Sequence, residues 1–341
     1  MKRIVIIGNS PAGIKAIEEI RAVDQESSVT LIDQEGTLPY IRSRFPDWLA
    51  GAVKEKECLF QEESFYKKLN IEIIKDKSVV RITAKRNKIV LENKKEERGD
   101  LIYDKLIITD AVTKLPEVKG DQRSGAFGLR RFADAQAISK MLPLVDTVVV
   151  QSETFWGLET ILALRKKDKE VLWCIPSQHL FPDLIDASTA AVLKQNLEAE
   201  GIRIFSDNAV VEILGDQEVK AVRLKSGKVL AADMVLFPDS GPDLKIYSDG
   251  GLSVAFRITV NSNFQTSAEN VFAMDDVCDA QGEWSIAALE DAGKAAAAKI
   301  TGQESTLAAP SNQDSALSKI EQRMSEPGEA VSAPESQSQP A

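Results

Sequence analysis

The chain has 341 residues, 43% of them hydrophobic, with a formal net charge of −10. That length points to two domains plus some unstructured chain, and the apolar fraction suffices for real cores. The acidic balance argues against nucleic acid or an anionic membrane surface as the main partner. No apolar run approaches the length of a membrane span. Cys58, Cys174 and Cys278 lie too far apart for a C-x-x-C redox pair or a zinc knuckle, and each reads as a small buried hydrophobe. The single histidine, His179, makes a His-based triad or a His-rich metal site a poor expectation, so no metal is expected. Met1-Lys2-Arg3 leads straight into an apolar run with no cleavage pattern, so no leader is expected and the cytoplasm is the default location.

In chain order, Lys2–Ile7 reads as a buried parallel strand, Gly8-Asn9-Ser10-Pro11-Ala12-Gly13 as a tight turn, and Ile14–Ala22 as a helix. Strand, glycine turn and helix in that order open a dinucleotide-binding unit. Gly8 allows the turn, and Gly13 allows close packing of helix on strand. Ser10 stands where a second glycine is usual. The helix N-terminus offers backbone N–H groups to a pyrophosphate. Ser28–Ile32 is a second strand, and Asp33 at its end sits where an acid accepts hydrogen bonds from an adenosine ribose.

Short alternating strands are expected between Leu69 and Leu91, and another at Leu106–Ile108. A linker with Pro116 and Gly120 follows. The strand–turn–helix–strand pattern then recurs: Asp146–Val150, a helix over Phe155–Lys166, and Glu170–Ile175. An amphipathic helix over Asp186–Glu200 and a meander over Ala209–Leu230 complete the second unit. Two such units, each followed by a meander, suggest an internal duplication. Asn270–Ala273 reads as a strand returning to the first domain, and Ile286–Ile300 as a helix. The expected fold is α/β, with two nested Rossmann-like domains. One is discontinuous, over 1–114 and 243–302. The other is inserted, over 115–242. The Ser-, Gln- and Pro-rich residues 303–341 are expected to be disordered, with a transient helix at Ser315–Met324.

Several blocks resemble the two-dinucleotide flavoprotein reductases: NADH:rubredoxin reductases, the flavin part of NAD(P)H-dependent nitrite reductases, and NADH oxidases. The blocks are Pro39-Tyr40-Ile41-Arg42 with Leu49-Ala50-Gly51, Ser78-Val79-Val80, Tyr103–Ile108, Gly128-Leu129-Arg130 with Asp134-Ala135, Gly157-Leu158-Glu159, and Phe272–Asp276. The resemblance covers residues 1 to about 302. It implies FAD in the discontinuous domain and NAD(P)H in the inserted one. The cofactor-binding residues it implies, together with the turn, are Gly8, Ser10, Pro11, Ala12, Gly13, Asp33, Arg42, Val80, Thr109 and Asp276. Val80 would meet the adenine through its backbone, and Asp276 would orient the ribityl or phosphate end. Arg42 would balance phosphate charge or lie near the isoalloxazine. Arg44 reads equally as a helper or a surface cation. Trp284, beside the second flavin block, is a candidate for a place near the flavin.

The departures are concentrated at ligand-facing glycines. The family's Thr-Gly-Ala stands here as Thr109-Asp110-Ala111, its Gly-Asp as Asp275-Asp276, and a glycine before the return crossover as Asp239. In the second fingerprint, Ser152 and Thr154 replace two glycines, Glu153 sits between them, and only Gly157 remains, followed by Glu159. Ile175 stands where a ribose acid belongs. NAD(P)H is therefore not expected as donor. No redox cysteine stands near Tyr40–Arg44, so the catalytic residues stay unassigned. A polar tail stands where full-length relatives carry an interface domain, which leaves the oligomeric state open. The expected function is an FAD-dependent electron-transfer flavoprotein with an impaired NAD(P)H site, served by a redox protein partner or another small donor. The alternative is a non-catalytic binding or regulatory relative.

Overall fold

The computed structural model describes residues 1–113, 115–182, 184–280 and 285–303. Trp284 and the tail helix expected at Ser315–Met324 lie outside them. The chain forms two compact units. Among the described residues, the first comprises Met1–Glu117, Phe127–Pro143 and Ser240–Gln303; the second comprises Val118–Ala126 and Leu144–Asp239. The segment Phe127–Pro143, assigned above to the inserted domain, thus packs with the first unit. Phe132 anchors it there, stacking on Trp48 at 5.3 Å between ring centroids.

The first unit opens with β1 (Arg3–Ile7), α1 (Pro11–Val23), β2 (Ser28–Asp33), α2 (Phe45–Ala50) and α3 (Glu63–Lys68). β3 (Glu72–Lys75), β4 (Lys77–Thr83), β5 (Lys88–Asn93), β6 (Arg98–Ile102) and β7 (Lys105–Ile108) follow. A parallel sheet of order β16-β7-β1-β2-β3 forms its centre, where β16 is Val271–Ala273. The return of the chain to the first sheet is as expected: Val271, Phe272 and Ala273 pair with Leu106, Ile107 and Ile108. β3 joins this sheet rather than a meander, through Thr30 opposite Glu72 and Leu31 opposite Ile73. β4, β5 and β6 form the antiparallel meander. Ile4, Ile6, Ile7, Leu31, Leu106 and Phe272 are buried in one core, as central strands covered on both faces require.

Helix α1 begins at Pro11, three residues before its apolar periodicity. Ser10 caps it by accepting from Gly13 N at 3.4 Å, and proline at the first helical position lacks only an N–H the helix cannot use. α1 packs against α8 (Ile286–Thr301), whose alanines and Gly293 permit close approach.

The second unit repeats the plan. β8 (Ala126–Gly128) reaches its sheet edge, and α4 (Phe132–Met141) precedes β9 (Thr147–Gln151). α5 (Phe155–Arg165), β10 (Glu170–Ile175), α6 (Ala187–Ala199) and β11 (Arg203–Ser206) follow. β12 (Val210–Leu214), β13 (Ala221–Leu224) and β14 (Val229–Ala231) make the meander, and β15 (Met234–Phe237) returns to the sheet of order β11-β10-β9-β15-β8. α7 (Lys245–Asp249) opens the return to the first unit.

A Cβ at Gly293 would lie 2.5 Å from the Ala12 carbonyl oxygen and 2.9 Å from Lys15 Cβ. Gly293→Ala should therefore cost about 1–3 kcal/mol through overpacking. A chemical-denaturation midpoint measured beside the parent checks this, and an unchanged midpoint would show that α8 shifts freely.

Candidate functional site

Both units place a tight turn where β-order changes direction, at the C-terminal ends of parallel strands. In the first unit β1 lies between β2 and β7; in the second β9 lies between β10 and β15. Open α/β sheets bind ligands in this crevice.

In the first unit Gly8 has φ +99°. A Cβ there would stand 2.5 Å from Asp110 Cβ and 2.7 Å from Thr109 Oγ1. Glycine is therefore required for both conformation and space. Thr109 is fully buried, and its hydroxyl donates to the carbonyls of Ile7 and Gly8 at 3.1 Å each. Its place is beneath the turn, as a brace. Pro11, Ala12 and Gly13 form the buried first turn of α1.

Asp33 ends β2 and is 3% exposed. Its Oδ1 accepts from Gly36 N at 2.9 Å, while its buried Oδ2 has no partner. Burial pushes its pKa up. The neighbouring Gln34 Oε1 accepts from Val79 N at 3.0 Å. Val80 lies at a β-bulge: the register of β4 on β5 passes from Val79 opposite Leu91 to Arg81 opposite Val90. Its backbone is thereby set apart from the ladder, as a bulge beside a binding site often is.

The remaining groups form a partly buried charge cluster. Arg42 Nη1 donates to Asp276 Oδ2 at 2.6 Å. Arg130, 3% exposed, pairs with the same oxygen and with Asp110 Oδ1 at 3.1 Å. The Nε atoms of Arg42 and Arg130 and Oδ1 of Asp276 are buried without a partner among the described residues. Burial alone would raise the Asp276 carboxyl, but Arg42 and Arg130 overrule it and hold it well below the usual range. Removing one arginine would leave the Asp276 carboxylate to the other, and removing both would leave it without a cation. Asp275 has φ +64°, a conformation that aspartate tolerates better than most residues, so the turn survives without its glycine. Burial pushes the Asp275 carboxyl up to about 6 against the pull of Arg42, and the neighbouring Asp276 charge adds to the rise.

Arg130 is a member of this cluster that the sequence does not single out. Its local sequence carries no periodic signal; only the fold brings it to Asp276. Glu35 was also missed. Its Oε1 accepts from the Tyr40 hydroxyl at 2.9 Å, its Oε2 is buried and unpartnered, and burial, with Asp110 nearby, pushes its pKa up to about 7. Arg44 stands apart from this cluster, donating to the Glu57 carbonyl. The three cysteines are buried and free, and burial pushes the thiols of Cys58, Cys174 and Cys278 up to about 11, 12 and 12.

In the second unit, Ser152, Glu153 and Thr154 form the turn between β9 and α5. Thr154 caps α5 by accepting from Gly157 N at 3.3 Å. A Cβ at Gly157 would stand 1.8 Å from Ser152 Oγ, so this glycine and the serine fit only together. Asp239, two residues beyond β15, faces the turn. It accepts from Ser152 Oγ at 2.7 Å, Glu153 N at 2.7 Å and Thr154 Oγ1 at 2.6 Å. Glu153 Oε1 accepts from Ser177 N at 2.6 Å, just beyond Ile175 at the end of β10. Trp173 Nε1 donates to the Ser152 carbonyl at 2.9 Å. Glu159 lies in the first turns of α5, partly buried.

Because its pKa is raised, Asp275 opposes folding once it ionises. Its favourable share is complete below about pH 4 and is lost as pH rises through about 6. Asp275→Asn keeps the acceptor for Asp276 N and removes the charge. It should stabilise the ligand-free chain at pH 8 by about 1–3 kcal/mol and be nearly neutral at pH 4. Urea unfolding at both pH values tests this, and an equal difference at the two would contradict it.

A profile described as pyridine nucleotide-disulphide oxidoreductase matches residues 2–297. The chain is 28% identical over 333 residues to an NADH oxidase of Methanocaldococcus jannaschii, covering 93% of this chain and 74% of that protein. It is 26% identical to an assimilatory nitrate reductase electron transfer subunit of Bacillus subtilis, covering 88% of this chain but 39% of the relative. Among solved structures, an NAD-dependent persulfide reductase from A. fulgidus superposes with a TM-score of 0.79 at 23% identity, over 90% of this chain and 60% of that one. NADH:rubredoxin oxidoreductase from Clostridium acetobutylicum does so with a TM-score of 0.72 at 22% identity, over 91% and 78%. With its two turn-bearing parallel sheets and a profile match over most of its length, the chain belongs to the pyridine nucleotide-disulphide oxidoreductase family.

Proposed function

We propose that this chain is an FAD-dependent oxidoreductase that moves electrons without an effective NAD(P)H site. The observation that carries the FAD half is the set of unpartnered buried atoms in the first unit. Among the described residues, Asp33 Oδ2, Arg42 Nε, Arg130 Nε and Asp276 Oδ1 have no acceptor or donor. A folded protein rarely leaves such groups unsatisfied, because each costs about 1–3 kcal/mol. Their chemistry suits the two ends of a dinucleotide. Asp33 would accept ribose hydroxyls, and Arg42 and Arg130 would face phosphate charge. Asp276 would hold both arginines and orient a ribityl hydroxyl. The Gly8 turn would admit the pyrophosphate against the start of α1. Val80 would offer its backbone to the adenine. When bound, FAD would supply the electron-carrying chemistry, and the protein would bind and tune it.

The NAD(P)H half rests on the second turn. Its Ser152 hydroxyl, Glu153 N–H and Thr154 hydroxyl are already engaged by Asp239, and the Glu153 carboxylate is held by Ser177 N. Electrons would then come from a redox protein or another small donor. Some relatives support a protein partner by name, among them the ferredoxin reductase component of a chlorobenzene dioxygenase, 25% identical over 274 residues.

Stopped-flow reduction of the FAD-loaded protein tests the reading. Dithionite should bleach the flavin, whereas NADH and NADPH should do so slowly or not at all. Fast, saturable bleaching by NADH would make this an ordinary NADH-dependent flavin reductase. Gly8→Val should abolish flavin binding by filling the turn. A chain that shows no flavin bands and no thermal shift with excess FAD would leave the non-catalytic reading in its place.

A further inference from the structure

The two units can be compared position by position. β7 runs parallel beside β1, with Ile108 opposite Ile7. β15 runs parallel beside β9, with Leu236 opposite Val150. Asp110 lies two residues beyond β7, and Asp239 lies two residues beyond β15. The same topological position therefore carries an aspartate in both units, next to the turn that follows the central strand.

The two carboxylates have different partners. Asp110 is paired with the buried Arg130 at 3.1 Å. Asp239 bonds the turn itself: one backbone N–H and two hydroxyls, all within 2.6–2.7 Å. Asp239 is exposed to solvent, yet its carboxylate is fixed by all three donors. The two hydroxyls belong to Ser152 and Thr154, the residues that stand where the fingerprint has glycines. Three departures from the fingerprint thus form one hydrogen-bonded cluster rather than three separate losses. One backbone N–H and two hydroxyls of the turn are already taken by a carboxylate of the chain itself.

We propose that Asp239 is the residue that sets ligand specificity at the second turn, acting as a tethered anion that excludes dinucleotide phosphates. The inference rests on the reading that NAD(P)H is not the donor, and it names the cause. Loss of glycines would make exclusion steric and permanent. A tethered carboxylate makes it competitive, so that removing the carboxylate returns three donors to an external anion.

The experiment uses the full chain saturated with FAD, with inorganic pyrophosphate as the probe in calorimetry and NADH as a second probe by fluorescence. Asp239→Gly should bind pyrophosphate at least tenfold more tightly than the parent. Asp239→Asn, which keeps an acceptor but not the charge, should fall between them. The Asn variant also guards against a Gly variant that fails to fold. If parent and both folded variants bind pyrophosphate and NADH equally weakly, the tethered-anion inference falls while the impaired-site reading stands. If the parent itself binds NADH at micromolar concentration, that reading falls and takes the inference with it.

Discussion

A strand that turns sharply into a helix leaves backbone N–H groups at the helix start with no partner inside the helix. Something anionic must meet them, or water must. In this protein the two copies of that turn meet the requirement differently. In the first unit the nearby acid, Asp110, is drawn off by Arg130, and Ser10 satisfies only Gly13 N. In the second unit Asp239 closes on the turn. The same strand–turn–helix plan thus carries an acid paired with an arginine in one unit and an acid bonded to the turn in the other.

The charge cluster of the first unit follows from the same constraint. Asp275 and Asp276 bring two carboxylates to the end of β16, and Asp110 brings a third to the end of β7. Such a group tolerates burial only if it is neutralised, and Arg42 and Arg130 do this through Asp276. The arrangement remains incomplete, because both Nε atoms and one carboxylate oxygen face no partner. In physical terms the cluster offers more hydrogen bonds than the described residues take up.

Much of the fold was legible in sequence. The apolar runs at Ile4–Ile7 and Val148–Val150, the turn after each, and the following helices all have local signals. So does the left-handed turn at Asp275, which an aspartate permits. The placement of candidate residues was legible where it follows from a strand, as with Gly8 after β1, Asp33 at the end of β2 and Val80 in β4. It was not legible where partners meet across the sequence. Arg130 lies 146 residues from Asp276, and Ser152 lies 87 from Asp239. Asp110 and Asp239 read as two unrelated lost glycines until the parallel registers of β7 on β1 and β15 on β9 make them equivalent. The boundary of the inserted unit was missed for a similar reason: Phe132 finds Trp48 only through tertiary packing.

The most direct test of the account is the visible absorption spectrum of the purified full-length chain, recorded before and after heat release of any bound cofactor. The account predicts flavin bands in the native protein, and a yellow supernatant identified as FAD after denaturation. A colourless protein that also fails to take up added FAD would contradict it.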